Sequence, residues 1–129
     1  MTAIPDSAKH ISVRTFKKDG TPVATPVWFA QLDGKLIVFT DGTSYKVKRL
    51  RRDARVEVAV CDARGKLLGN GQWYPGKGRC VEGPSEAAYI ERCYVALNRK
   101  YGMLMRVGTF FSTLVGRVGR RLILELTLD

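Results

Sequence analysis

The sequence predicts a mainly β domain, an antiparallel barrel with helices packed on its ends or flanks. Short runs of alternating apolar and polar residues recur along the chain, and glycine-containing turns separate them. Helical spacing is confined to a few segments that do not alternate with the strands as a parallel sheet requires.

From the N-terminal side, Ile11 to Lys17 alternates, with Ile11, Val13 and Thr15 on one face and Ser12, Arg14 and Phe16 on the other, the pattern of a half-exposed strand. Asp19-Gly20 marks a turn. Thr21 to Gln31 reads as the next strand, with Val23, Thr25, Val27 and Phe29 on one side; Pro22 and Pro26 restrict its hydrogen bonding and favour an edge, a bulge or a ligand-facing stretch. Asp33-Gly34 suits a hairpin turn with positive φ at both central residues, and Lys35 to Thr40 is the strand beyond it.

A turn at Asp41-Gly42-Thr43-Ser44 ends on a residue able to cap a helix through Tyr45 to Arg52, in which Val47 and Leu50 would face the core. Arg55 to Cys61 is an alternating strand with Val56, Val58 and Val60 inward, closed by a turn at Asp62 to Gly65. Gly69 to Gly78 reads as a glycine-rich loop with part of a strand at Gln72 to Tyr74, followed by a short strand at Cys80-Val81-Glu82. Pro84-Ser85 opens a helix whose Ile90, Cys93, Tyr94, Leu97 and Tyr101 share one face, and Gly102 ends it. A further apolar helix or turn is expected within Met103 to Val115, and Arg121 to Leu128 closes the domain as a strand with Leu122, Leu124, Leu126 and Leu128 on one face.

The 129 residues suit one domain, spanning 1–129, and 45% hydrophobic with 26% charged residues is ordinary globular usage. No apolar run reaches the roughly 20 residues of a membrane-spanning helix, and Met1 to His10 lacks a signal-peptide pattern, so a cytoplasmic protein is expected. Cys61, Cys80 and Cys93 match no zinc or redox spacing and read as reduced, partly buried thiols. The net charge of +10 implies either an anionic partner (nucleic acid, a membrane surface or an anionic small molecule) or a well-solvated surface, and charge alone does not choose.

Several catalytic devices are missing. The single histidine, His10, excludes a multi-histidine metal centre, no metal site is expected, and His10 itself reads as structural or solvent-exposed. The glycines match neither a nucleoside triphosphatase phosphate loop nor a dinucleotide fingerprint. Any chemistry would therefore be borrowed from a cofactor. One segment carries an anion-binding mechanism: a helix start capped by Ser44, with Lys46 and Lys48 in its first turn, offers free backbone N–H groups and cations to a phosphate. The alternative is a solvated charged helix face.

Thr25-Pro26-Val27-Trp28-Phe29, a strand ending in Thr40, the turn Ser44-Tyr45-Lys46-Val47-Lys48 and the run Arg51-Arg52-Asp53-Ala54-Arg55-Val56 together resemble the pyridoxamine-phosphate-oxidase-like split β-barrel family, with its FMN-binding split-barrel fold. They are most similar to its F-420 (deazaflavin)-dependent B class. Arg99-Lys100-Tyr101-Gly102 and the last strand fit the same pattern, whereas Asp53-Ala54 replaces the family's commoner Asp-Pro or Asn-Pro. The resemblance implies that Ser44 and Lys46 contact the cofactor phosphate with Lys48 nearby, that Thr40 ends the preceding strand beside it, and that Val27 and Trp28 border the ring. Without the resemblance, Trp28 on an apolar strand is more often a core residue than a cofactor wall. Tyr45 is counted with the cofactor contacts and, with Trp73 and Tyr74, among substrate-side contacts.

The same resemblance implies a homodimer with the cofactor between protomers, and an oxidoreductase in which reduced F-420 passes a hydride to a small organic acceptor. FMN is the alternative cofactor; the cluster Lys46, Lys48, Arg49, Arg51 and Arg52 favours F-420, whose tail is polyanionic. A non-catalytic cofactor-binding protein of the same fold and, from another class, a basic nucleic-acid-binding module are the remaining expectations.

Overall fold

A computed structural model describes residues 4, 5, 7–41, 45–101 and 121–129, with the side chains of residues 41 and 121 outside the description. Strands β1 (His10–Phe16), β2 (Pro22–Val27), β3 (Ala30–Leu32), β4 (Lys35–Asp41), β5 (Arg55–Cys61), β6 (Tyr74–Val81) and β7 (Arg121–Leu128) form a 7-stranded antiparallel sheet in the order β2-β1-β5-β6-β7-β4-β3. Helix α1 (Tyr45–Arg52) follows β4, and α2 (Ala87–Tyr101) precedes β7. The mainly β, antiparallel α+β architecture is the one expected. No helix among the described residues is long and apolar enough to cross a membrane.

The strand order shows how the sheet closes. Its two ends, β2 and β3, are consecutive in sequence and separated by Trp28 and Phe29 alone. Three peptide steps span at most about 11 Å, so the sheet must roll until its edges nearly meet. They do not pair, and the barrel stays split along this seam. The single strand expected from Thr21 to Gln31 is therefore two: β2 pairs with β1, and β3 pairs with β4. Alternation could not reveal the break, because the chain changes partners without changing its apolar pattern.

Turn chemistry set both flanking hairpins. Asp33 and Gly34 have φ of 54° and 76°, as a tight hairpin needs. At the β1–β2 turn the Lys17 N–H donates to Thr21 O at 3.0 Å, which pairs Phe16 with Pro22 and fixes the register back to Ile11 opposite Val27.

Inside the barrel, Ile11, Val13, Leu36, Val38, Val56, Val58, Leu124 and Leu126 form one apolar core, and α1 covers it with Val47 and Leu50. Of the segment read as a glycine-rich loop, Gly69 to Trp73 lies outside the strands, whereas Tyr74 to Gly78 begins β6, a central strand between β5 and β7. A Cβ on Gly76 would lie 2.5 Å from Thr127 O, and one on Gly78 would lie 2.9 Å from Leu126 Cδ2 and 3.2 Å from Leu50 Cδ2. Glycine is needed there so that β7 and α1 can pack this closely, not to form a turn. The short strand expected at Cys80-Val81-Glu82 is the end of β6, and Glu82 lies beyond it.

A second core fills the space between the outer face of the sheet and α2, where Ile37, Val81 and Ile123 meet Cys93 and Leu97. The helix expected from Pro84-Ser85 begins with a 3-10 turn at Pro84–Glu86, and regular α-helix starts at Ala87. Strand β1, read as half-exposed, is buried on both faces: Ser12 and Phe16 are as enclosed as Ile11 and Val13. The Arg55 guanidinium lies 3.8 Å from the centre of the Phe16 ring, and Arg52 donates to Phe16 O at 2.6 Å. Long cationic side chains thus cover a face that alternation assigned to water.

Candidate functional site

At the split, the end of β2 and the start of β1 enclose one side of a cavity. Extending the β1–β2 register by one residue sets His10 opposite Trp28, and the two side chains meet: the Trp28 Nε1–H donates to His10 Nε2 at 2.9 Å. On its other side Trp28 stacks on Tyr101 at the end of α2, with ring centroids 4.7 Å apart and planes 11° from parallel. His10, Pro26, Val27, Trp28, Phe39 and Ala63 line a cavity of about 450 Å³, within the usual range for small-molecule sites. Of the described residues that line it, His10 alone is ionisable.

Tyr101 fixes the seam. Its hydroxyl accepts the Phe29 N–H at 2.9 Å and lies 2.8 Å from both Lys9 O and Phe29 O, to either of which it can donate. Phe29 is fully buried and sits between strands, so its backbone groups have lost their ladder partners, and Tyr101 satisfies them. Tyr101→Phe keeps the ring stack but leaves the Phe29 N–H unsatisfied. It is expected to cost about 1–3 kcal/mol of stability, measured by urea unfolding.

The opposite rim is the β5–β6 turn. Asp62 Oδ1 accepts the N–H groups of Arg64 and Lys66, each at 2.9 Å, and holds Ala63 at the cavity edge. The hydrogen bond from the Lys66 backbone, with that from Arg64 and both their charges, keeps the Asp62 carboxyl below its ordinary value. Gly65, with φ of 90°, packs this turn against Pro26.

Of the residues singled out in the sequence, Val27 and Trp28 share the cavity. Thr40 does not: β4 alternates, so Thr40 shares the barrel interior with Leu36 and Val38, and Phe39 is the side chain that reaches the cavity. Ser44 lies outside the described residues, as do Gly42, Thr43 and the segment 102–120 where a further helix or turn was expected. Tyr45, Lys46 and Lys48 gather at the start of α1, which has no acidic residue in its first turn. Tyr45 is 72% exposed, Lys46 is half-buried, and the Lys48 ammonium sits 5.2 Å from the Tyr45 ring centre.

Trp73 and Tyr74 are placed elsewhere. The Arg14 guanidinium stacks on Trp73 at 3.7 Å, and Tyr74 helps line a separate cavity of about 270 Å³ beneath the loop from Leu68 to Gln72.

The basic cluster is not the open landing surface expected of it. Arg49 donates to Thr15 Oγ1 at 3.2 Å, Arg51 to both carboxylate oxygens of Glu82 at 3.0 and 2.8 Å, and Arg52 to Phe16 O. Arg49 and Arg52 fasten α1 to β1, and Arg51 ties it to Glu82 just beyond β6. Sequence reasoning counted their charge and could not see their partners. It read His10 as structural or solvent-exposed and did not single out Phe39. His10 could have been found from the Asp19-Gly20 turn, whose register pairs it with Trp28, and Phe39 from the alternation of β4.

The sequence profile of pyridoxamine 5′-phosphate oxidase matches residues 2–125. The chain belongs to that family. No curated protein matches the sequence. Among solved structures, the conserved hypothetical protein Rv2991 from Mycobacterium tuberculosis is similar at 22% identity with a TM-score of 0.70, over 96% of this chain and 75% of that one. HutZ, the heme storage protein from Vibrio cholerae, is similar at 12% identity and a TM-score of 0.69, over 95% of this chain and 83% of its own. An F420 reductase is similar at 17% identity and a TM-score of 0.57, over 98% of this chain and 96% of that one. At these identities the likenesses show the fold.

Proposed function

We propose that this chain is an F-420-dependent oxidoreductase of the pyridoxamine 5′-phosphate oxidase family, with the cofactor ring against Trp28 and its phosphate at the start of α1. The observation that carries the reading is the aromatic cavity at the split, which Phe39 of β4 helps to line; the next element in the chain is α1, whose start bears Lys46 and Lys48 and no acidic residue. Trp28 and Phe39 offer flat apolar faces, Val27 and Pro26 fill the edges, and His10 adds one polar group. That lining suits a ring with a polar rim. The resemblance to the deazaflavin-dependent B class supports F-420 in particular, and the similar F420 reductase has nearly the same length. When bound, F-420 would supply the hydride delivered to a small organic acceptor, while the protein orients the two and excludes water.

FMN is the second reading, and one observation favours it: with Arg49, Arg51 and Arg52 engaged, less free positive charge remains at α1 for a polyanionic tail. In either case the proposal includes a homodimer with the cofactor between protomers.

Parallel titrations with F-420 and FMN, followed by cofactor fluorescence, test the choice. Saturable binding of F-420 supports the first reading and of FMN the second; binding of neither, with salt-sensitive binding to DNA or RNA, restores the nucleic-acid alternative. Lys46→Ala is expected to weaken cofactor binding at least about tenfold, the loss of a charge-assisted phosphate contact. Unchanged affinity would remove Lys46 from the site.

A further inference from the structure

We infer that His10 is the polar anchor of the cavity: a neutral imidazole that presents its Nδ1–H to a hydrogen-bond-accepting atom, a carbonyl oxygen or ring nitrogen, of the ring bound against Trp28. The inference rests on the cofactor reading above and adds a residue and a protonation state to it.

The indole N–H is a donor only. Because it donates to His10 Nε2 at 2.9 Å, that nitrogen must carry a lone pair, and the neutral ring must then carry its proton on Nδ1. Trp28 cannot serve a different nitrogen by turning freely, because Tyr101 stacks on its face and is itself tied to Lys9 and Phe29. The imidazole stands 63° to the indole plane with centroids 6.4 Å apart, an edge arrangement that leaves the far side of the imidazole clear of Trp28. Among the described residues Nδ1 has no protein partner, although His10 lines the cavity and is half-buried. The remaining lining side chains, Pro26, Val27, Trp28, Phe39 and Ala63, leave no other donor for a polar ring edge once the indole N–H is spent on His10.

The role is hydrogen-bond donation, not proton transfer. A neutral imidazole that gave up its Nδ1 proton would become an imidazolate, and an imidazolium would carry a proton on Nε2 and lose the Trp28 bond. Held in one tautomer, the ring can polarise or orient an acceptor while remaining neutral.

Two near-isosteric substitutions separate this from a merely structural role. The Gln oxygen of His10→Gln can still accept from Trp28, but no donor remains at the Nδ1 position. The Asn amide of His10→Asn keeps a donor near Nδ1 and loses the acceptor for Trp28. With F-420 and FMN as probes, His10→Gln is expected to weaken binding of the ring that the wild type binds by about three- to tenfold, the range of one neutral hydrogen bond, and His10→Asn by less. Because His10 is the chain's single histidine, a nitrogen-15 spectrum at about pH 8.5, above the range where free imidazole titrates, should show one neutral tautomer protonated on Nδ1. Its Nδ1 signal should move on adding the ring.

Equal or greater loss in His10→Asn, no loss in His10→Gln, or an Nε2–H tautomer each overturns the donor role while the cofactor reading stands. A wild-type protein that binds neither ring overturns both, and the tautomer alone then records the Trp28 contact.

Discussion

Trp28→Ala is expected to lower affinity for the ring cofactor by about ten- to a hundredfold, from the roughly 1–3 kcal/mol that an aromatic face contributes when it stacks on a planar ring. The effect should exceed that of any other single change in the cavity, because Trp28 has three roles there. It forms a wall of the cavity, it sets the His10 tautomer through its N–H, and its stack on Tyr101 links the cavity to the end of α2. Trp28→Phe separates these roles. Phenylalanine keeps a face for the ring but donates no hydrogen bond, so binding is expected between that of wild type and alanine. Titration with F-420 and FMN reads the affinities, and urea unfolding of each variant checks that the fold survives. Equal affinity for wild type and Trp28→Ala in a folded protein would move the ring away from β2.

How much of this was legible in the chain depends on what each residue had to signal. The strands of the barrel were readable where alternation and a turn agreed: Asp33-Gly34 adopts the positive φ values its sequence asks for, and Leu122, Leu124 and Leu126 enter the interior together. The split was not readable. Trp28 sits between β2 and β3, where the apolar pattern gives no sign that the chain changes partners, and Phe39 lies on β4, paired there with β7, where alternation does not say that one face meets a cavity. Strand β6 was hidden for a different reason: Gly76 and Gly78 look like turn residues, yet their lack of a Cβ serves the approach of β7 and Leu50. Charge was the least reliable guide. The arginines of α1 announced an anionic partner, and all three bond instead to Thr15, Phe16 and Glu82. The lysines at the start of the same helix carry a different signal, since their position opposes the helix dipole.

Glu125→Ala is expected to cost about 2 kcal/mol at neutral pH, and the cost should shrink as the pH falls. Glu125 faces outward from β7, where alternation would place it in water, but α2 covers it and leaves it 6% exposed. Arg79 holds it with two bonds, Nε at 3.0 Å and Nη2 at 3.2 Å, while a third Arg79 nitrogen reaches Glu86 at 3.0 Å and the Lys35 ammonium stands 3.5 Å away. The pair thereby ties β6 and β7 to the turn that starts α2. Breaking a fully buried ion pair costs about 3–5 kcal/mol and an exposed one about 0–1. The Arg79 side chain is 48% exposed and can be rehydrated, so the figure falls between them. Burial alone would raise the Glu125 carboxyl, but the Arg79 hydrogen bonds, the nearby Tyr89 hydroxyl and the charges of Arg79 and Lys35 outweigh it and hold the group below its ordinary 4.5. A depressed folded value means that the stabilisation is complete above the unfolded value and is lost as the pH drops through the folded one. Urea unfolding of wild type and Glu125→Ala at pH 7 and near pH 3 should therefore show the gap narrowing in acid. The carboxylates Asp19 and Asp62 are also held low, but they are present in both proteins and cancel in the difference. A gap that stayed constant would mean that Glu125 stabilises by filling space beneath α2, and that its charge contributes nothing.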